Sequence, residues 1–151
     1  MTSPRPQLAW LAQIAQPAVV LVNNAQREHQ EFMGSVLATA FENGAAISAL
    51  PESGVAVYPG DDPHSPLWRE LAGKRRCLSF GLDERCAVRS RPDARPEQFE
   101  MDLNGSVVTV SLSIDGLHNV RNALAAAAAK HSKAAALAER VTEALDATGL
   151  Y

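Results

Sequence analysis

The spacing of apolar residues changes rhythm along the chain. Up to residue 80, short uniformly apolar runs alternate with segments whose apolar positions recur every three or four residues. From residue 98 the pattern becomes strict two-residue alternation, and then returns to helical spacing. Leu8, Leu11 and Ile14-Ala15 predict a first helix, stopped by Pro17. Ala18-Val19-Val20-Leu21-Val22 has no polar face, as expected of a parallel strand covered on both sides. It runs into Asn23-Asn24 and a polar loop over 25–31, and open α/β sheets gather ligands beyond the carboxyl ends of such strands. Residues 32–42 predict a helix with Phe32, Val36, Leu37, Ala40 and Phe41 on one face, and Asn43-Gly44 reads as its stop. More helix is expected over 45–50, then a turn at Pro51-Glu52-Ser53-Gly54 and a second buried strand, Val55-Ala56-Val57-Tyr58. Asp61-Asp62-Pro63 opens a helix carrying Leu67, Trp68 and Leu71, which Gly73 ends, and residues 76–80 form a third strand.

The polar, proline-containing stretch 89–97 reads as a loop or an edge. Residues 98–103 then alternate, Asn104-Gly105 is a two-residue hairpin turn, and Val108, Val110, Leu112 and Ile114 alternate on the return. This is an antiparallel hairpin with one wet face. A helix over 118–130 follows, and a separate last helix over 134–147 carries Leu137, Val141 and Leu145. The expectation is one α/β domain in three layers, with short parallel strands, an antiparallel hairpin and flanking helices.

Composition narrows the function more than the fold. The chain has 151 residues, 46% of them hydrophobic, and a net charge of −3, which gives no electrostatic reason to expect nucleic acid or an anionic membrane as partner. No apolar run is long enough to span a bilayer, and the polar lead over residues 1–6 lacks the apolar segment of a signal peptide, so a cytoplasmic location is expected. Cys77 and Cys86 are too far apart for a CxxC unit; Cys77 is expected in the core, and no metal centre follows from the pair. Asp61-Asp62 and Asp83-Glu84 are read as helix caps and turns, not as metal ligands.

The stretch with the most chemistry is Asp115-Gly116-Leu117-His118-Asn119-Val120-Arg121-Asn122, where a strand gives way at once to a helix. A helix N-terminus presents unpaired N–H groups and partial positive charge, and a preceding Gly lets backbone or ligand come close. Two readings stand for this segment alone: an ordinary join capped by Asp115 or Asn119, or a ligand-holding corner.

Three blocks bear on that choice: Leu21-Val22-Asn23-Asn24-Ala25 with His29 and Phe32-Met33-Gly34-Ser35; Leu50-Pro51-Glu52-Ser53-Gly54-Val55; and Gly116-Leu117-His118-Asn119-Val120-Arg121-Asn122-Ala123-Leu124. In this order and spacing they resemble the Mur ligases of peptidoglycan synthesis, most of all the branch that adds D-alanyl-D-alanine, over roughly residues 8–130. The resemblance implies the later part of the central ATP-binding domain of a three-domain enzyme that uses ATP and Mg²⁺ to activate a carboxylate for attack by an amine. It implies that Asn119 reads the adenine edge, with Gly116, His118 and Asn122 beside it. It further implies that Asn23 and Asn24 shape the facing loop and that His29 helps hold the metal.

The departures are equally informative. The only Gly-Lys is Gly73-Lys74, followed by Arg75 at a predicted helix end, so the phosphate loop of the family is absent from this stretch. The family's acidic metal ligand is missing too, and Asn43 and Ala45 stand where related enzymes carry a Lys and a Glu. Phosphoryl transfer depends on positioning and charge neutralisation. The chain is therefore expected to hold the adenine side of a nucleotide site, to bind ATP weakly and to be inactive alone. The alternative is a non-catalytic interaction module, dimerising or pairing with a partner that supplies missing domains through an open sheet edge.

Overall fold

The computed structural model describes residues 7–23 and 36–148, with side chains through residue 134. Six strands form one sheet in chain order: β1 (Val19–Leu21), β2 (Val55–Pro59), β3 (Arg76–Gly81), β4 (Val88–Arg89), β5 (Phe99–Leu103) and β6 (Ser106–Val110). The first four are parallel neighbours, and β4, β5 and β6 pair antiparallel. Helices α1 (Gln7–Ala15), α2 (Val36–Ser48), α3 (Ser65–Ala72) and α4 (Leu117–Thr148) flank it.

Strand β2 is buried at every position, and its alternate side chains serve two separate cores. Val55 and Val57 join Phe80, Val88, Phe99 and Met101 under Val120, Leu124, Ala125 and Ala128 of α4. Ala56 and Tyr58 join Val20 and Val22 against Ala40 and Ile47 of α2 and Trp68 and Ala72 of α3. A strand whose two faces are both apolar is what a helix layer on each side requires, and the result is the expected three-layer α/β architecture.

Several boundaries differ from the sequence reading. Helix α2 runs straight through Asn43-Gly44. A Cβ on Gly44 would lie 2.5 Å from Cδ1 of Trp68 and 2.8 Å from Cδ1 of Leu71, so this glycine is a contact point between α2 and α3 and not a stop. The Trp68 indole N–H donates to the Ala40 carbonyl at 2.9 Å across the same contact. Arg75 fastens the other end, donating to the carbonyls of Leu50 at 2.8 Å and Ser48 at 3.2 Å beyond and at the end of α2.

Within the stretch read as loop or edge, Arg89 belongs to the two-residue strand β4, which joins the parallel and antiparallel halves of the sheet. The return strand ends at Val110, and Leu112 instead donates its N–H to the Pro96 carbonyl at 2.8 Å. The hairpin turn is as expected, with Asn104 at φ 54° and Gly105 at φ 102°. In the hairpin β5 keeps one wet face, with Phe99 and Met101 buried and Glu100 exposed, while β6, the sheet's last strand, is exposed from Ser106 to Thr109 and packs on the core through Val110. The two predicted C-terminal helices are one continuous helix, since no Gly or Pro interrupts residues 117–148.

The largest departure concerns burial. Leu8, Leu11 and Ile14, the apolar stripe of α1, are 37%, 51% and 64% exposed, and α1 buries only Ala12. On α2, Leu37 and Phe41 likewise face outward, while Ala40 between them is buried.

Candidate functional site

The carboxyl ends of β1, β2 and β3 meet the first two turns of α4. Asn23, two residues beyond β1, donates its side-chain N–H to the side-chain oxygen of Asn122 at 3.3 Å, although the two lie 99 positions apart. Asp61, two residues beyond β2, accepts both guanidinium nitrogens of Arg121 at 3.0 and 2.6 Å. Its Oδ2 also takes the N–H of Leu82, just past β3, at 2.9 Å. One corner thus collects the ends of three of the four parallel strands and the start of one helix.

The geometry assigns different jobs to the residues of this helix start. Gly116 has φ 102°, and a Cβ there would lie 2.5 Å from Cε1 and 2.7 Å from Nδ1 of His118. The missing side chain is what lets the His118 ring fold back over the turn. Asn119 donates one side-chain N–H to the Asp115 carbonyl at 2.6 Å, and its backbone N–H goes to the Gly116 carbonyl at 3.0 Å. Asn119 therefore does close the turn, as the plain capping reading holds. Its side-chain oxygen and second N–H make no hydrogen bond among the described residues, and an amide with one acceptor and one donor to spare can pair with the N6–H and N7 of adenine. Asn122 is half-committed to Asn23. Asn24 and His29 lie outside the described residues, as does most of the loop between β1 and α2.

The described residues do not by themselves make a metal centre: no group of three or more His, Cys, Asp or Glu side chains comes together among them. Asp62 is an ordinary turn residue, accepting the N–H of His64 at 2.8 Å and its Nδ1 at 3.0 Å. Asp83 is held well below the usual carboxylate range by hydrogen bonds from the Arg85 side chain and backbone. Gly73 ends α3 at φ 58°, its N–H donating to Glu70, so Gly73-Lys74 is a helix terminus and not a phosphate loop. Cys86 is fully buried and burial pushes its thiol up; Cys77 is half-buried beside the Tyr58 core. A groove of about 690 Å³ starts at Leu82, beside the corner, and runs between the 82–92 segment and the hairpin. Two of its arginines are already paired there, Arg85 with Asp83 and Arg89 with Asp102.

The missed residues are Arg121 and Asp61. Their partnership spans 60 positions, and neither residue type in its local context signals the other. The spacing of Asp61 after β2, like that of Asn23 after β1, is the one cue that could have pointed to it.

Residues 1–130 match the family described as Mur ligase middle domain. The chain belongs to that family. UDP-N-acetylmuramoyl-tripeptide–D-alanyl-D-alanine ligase of Escherichia coli (strain K12) is 31% identical over 135 residues, covering 87% of this chain and 30% of that protein. UDP-N-acetylmuramate–L-alanine ligase of Xylella fastidiosa (strain M12) is 36% identical over 121 residues, covering 74% of this chain and 24% of that protein. Among solved structures, MurF from Acinetobacter baumannii superposes with a TM-score of 0.76 at 25% identity over 84% of this chain and 28% of that one. MurF from Thermotoga maritima, solved in complex with ADP, gives 0.66 at 26% identity over 82% of this chain and 29% of that one. This Mur ligase middle domain therefore spans less than a third of the length of these relatives. Among the described residues, no helix is long and apolar enough to cross a membrane.

Proposed function

We propose that this chain is the adenine-side half of the nucleotide site of an ATP-dependent, peptidoglycan-precursor amide ligase of the D-alanyl-D-alanine-adding kind. The observation that carries the reading is the Asn23–Asn122 contact, which brings the strand-end asparagine and the helix start into one corner while leaving Asn119 a free donor and acceptor. The longer coverage by the D-alanyl-D-alanine-adding ligase favours that specificity over the L-alanine-adding one, whose matches span 74% of the chain. When bound, ATP with Mg²⁺ would supply the phosphoryl group that activates the substrate's carboxylate, with ADP as the leaving group; this chain's part is to seat the base. Gly116 and His118 set the backbone path, Asn119 presents the edge-reading amide, Asn23 and Asn122 hold its neighbour, and His29 remains the proposed metal contact. Affinity should be weak, because the phosphates, which carry most of a nucleotide's charge, lack their cradle. Titration with ATP–Mg²⁺, followed by amide NMR, should shift Gly116 through Asn122. Adenosine should shift the same residues, and ribose 5-phosphate should not. Silence there at millimolar ATP sinks the reading.

A second reading is favoured by the bare flank of the molecule: a scaffold that pairs through the β1 edge. Strand β1 is the first strand of the sheet, and Leu21 on it, with Trp10, Leu11, Ile14, Leu37 and Phe41 nearby in α1 and α2, is at least 40% exposed. Exposed apolar side chains grouped on neighbouring elements are what an interaction surface presents. On the first reading the flank receives the phosphate-loop part of a ligase; on the second it meets another copy. Light scattering over a range of concentrations separates them: a concentration-dependent dimer abolished by Trp10→Glu supports the scaffold, and a monomer throughout removes it.

A further inference from the structure

We infer that Arg121, clamped by Asp61, is a positioning residue that sets the roll of α4 and so aims Asn119 and Asn122; what the corner binds rests on the nucleotide reading above, but the clamp does not. The Asp61 carboxylate joins three elements at once: its own strand end after β2, the Leu82 N–H after β3, and both guanidinium nitrogens of Arg121 on α4. A two-pronged guanidinium–carboxylate pair fixes orientation as well as distance, which a single-point ammonium contact does not. The pair is partly sheltered, with side chains 38% and 13% exposed. Space has been cleared for it: a Cβ on Gly81 would lie 2.6 Å from the Asp61 carboxylate.

Arg121 stands one residue before Asn122 and two after Asn119, so with about 100° of rotation per helical residue, holding its direction fixes theirs. Among the described residues, the side-chain contact that remains between this end of α4 and the sheet without the clamp is the 3.3 Å amide contact between Asn23 and Asn122. Val120, Leu124, Ala125 and Ala128 turn the helix's apolar face onto the sheet, and the clamp holds the polar flank of its first turns in one direction. The pair's value thus lies in direction more than in stability, where partly exposed ion pairs contribute little.

The test compares Arg121→Leu, Arg121→Lys and Asp61→Asn with the unaltered chain, by two readouts. The first needs no ligand: the side-chain amide resonances of Asn23, Asn119 and Asn122. They should move in Arg121→Leu and Asp61→Asn and return part-way in Arg121→Lys, while core resonances such as those of Val57 and Leu124 stay in place. The second is affinity for ADP, expected to fall about five- to tenfold in Arg121→Leu and less in Arg121→Lys. Unmoved amide resonances in folded Arg121→Leu or Asp61→Asn overturn the inference. If Arg121→Leu does not fold, the amide resonances of Asp61→Asn decide between the two outcomes. If the unaltered chain ignores ADP yet the amide resonances move in the variants, the nucleotide reading fails and the positioning role stands.

Discussion

Helices α1 and α4 are built from similar material and end up in opposite circumstances. Both are rich in Ala and Leu, with apolar residues at helical spacing. The seated part of α4 places Val120, Leu124, Ala125 and Ala128 in a core shared with β2, β3, β4 and β5, whereas α1 buries a single alanine and turns Trp10, Leu11 and Ile14 outward. An amphipathic pattern therefore states that a helix has a face to bury, and not that the chain in hand supplies the surface to bury it against. For α4 that surface is the sheet. For α1, among the described residues, it is chiefly α2, whose own Leu37 and Phe41 also face outward.

Truncating one leucine and one isoleucine tests the contrast directly. Leu124→Ala, at a fully buried site, should cost about 2–5 kcal/mol in urea unfolding. Ile14→Ala, on the exposed stripe of α1, should stay within about 0.5 kcal/mol. Equal losses would show that α1 is as firmly seated as α4 and would erase the distinction. A smaller effect is expected on the layer between them. Gly44→Ala pushes a methyl into Trp68 and Leu71 and should cost about 1–3 kcal/mol, with a change in Trp68 fluorescence.

The same layer also carries a pH dependence. Burial, reinforced by the neighbouring Cys77 thiol, pushes Tyr58 up to about 12, with Arg69 pulling weakly the other way. A phenol that ionises less readily folded than unfolded stabilises the fold below pH 10, and that contribution is lost as pH rises from about 10 to 12. A spectrophotometric titration should find one of the two tyrosines, Tyr58 and Tyr151, ionising late, and Tyr58→Phe should flatten the alkaline fall in stability.

The parts of the fold that sequence made legible are those encoded by local pattern: the apolar strands β1 and β2, the mostly apolar β3, the Asn104-Gly105 turn, and Gly73 as a helix end. Strand β4 escaped because two residues carry no period, and what makes Val88-Arg89 a strand is the company of β3 and β5. Gly44 misled because a glycine needed for close approach looks like a glycine needed for a stop. At the site, Gly116, His118, Asn119 and Asn122 could be named from their compact motif, and Asn23 from its place at a strand end. The Asp61–Arg121 clamp could not, since its two halves meet only after the sheet has formed.

The unbroken span of α4 gives that clamp a reach of its own. At 1.5 Å per residue its 32 residues extend about 48 Å, more than twice the length of a typical strand beneath it. A rod of this length magnifies any difference in how its seated part, Val120 to Ala128, lies on the sheet. A tilt of about 5° at Arg121 swings the far end by roughly 4 Å, a displacement larger than a hydrogen bond is long. How Val120 to Ala128 sit on the sheet thus sets where residues 135–148 lie, with no hinge between.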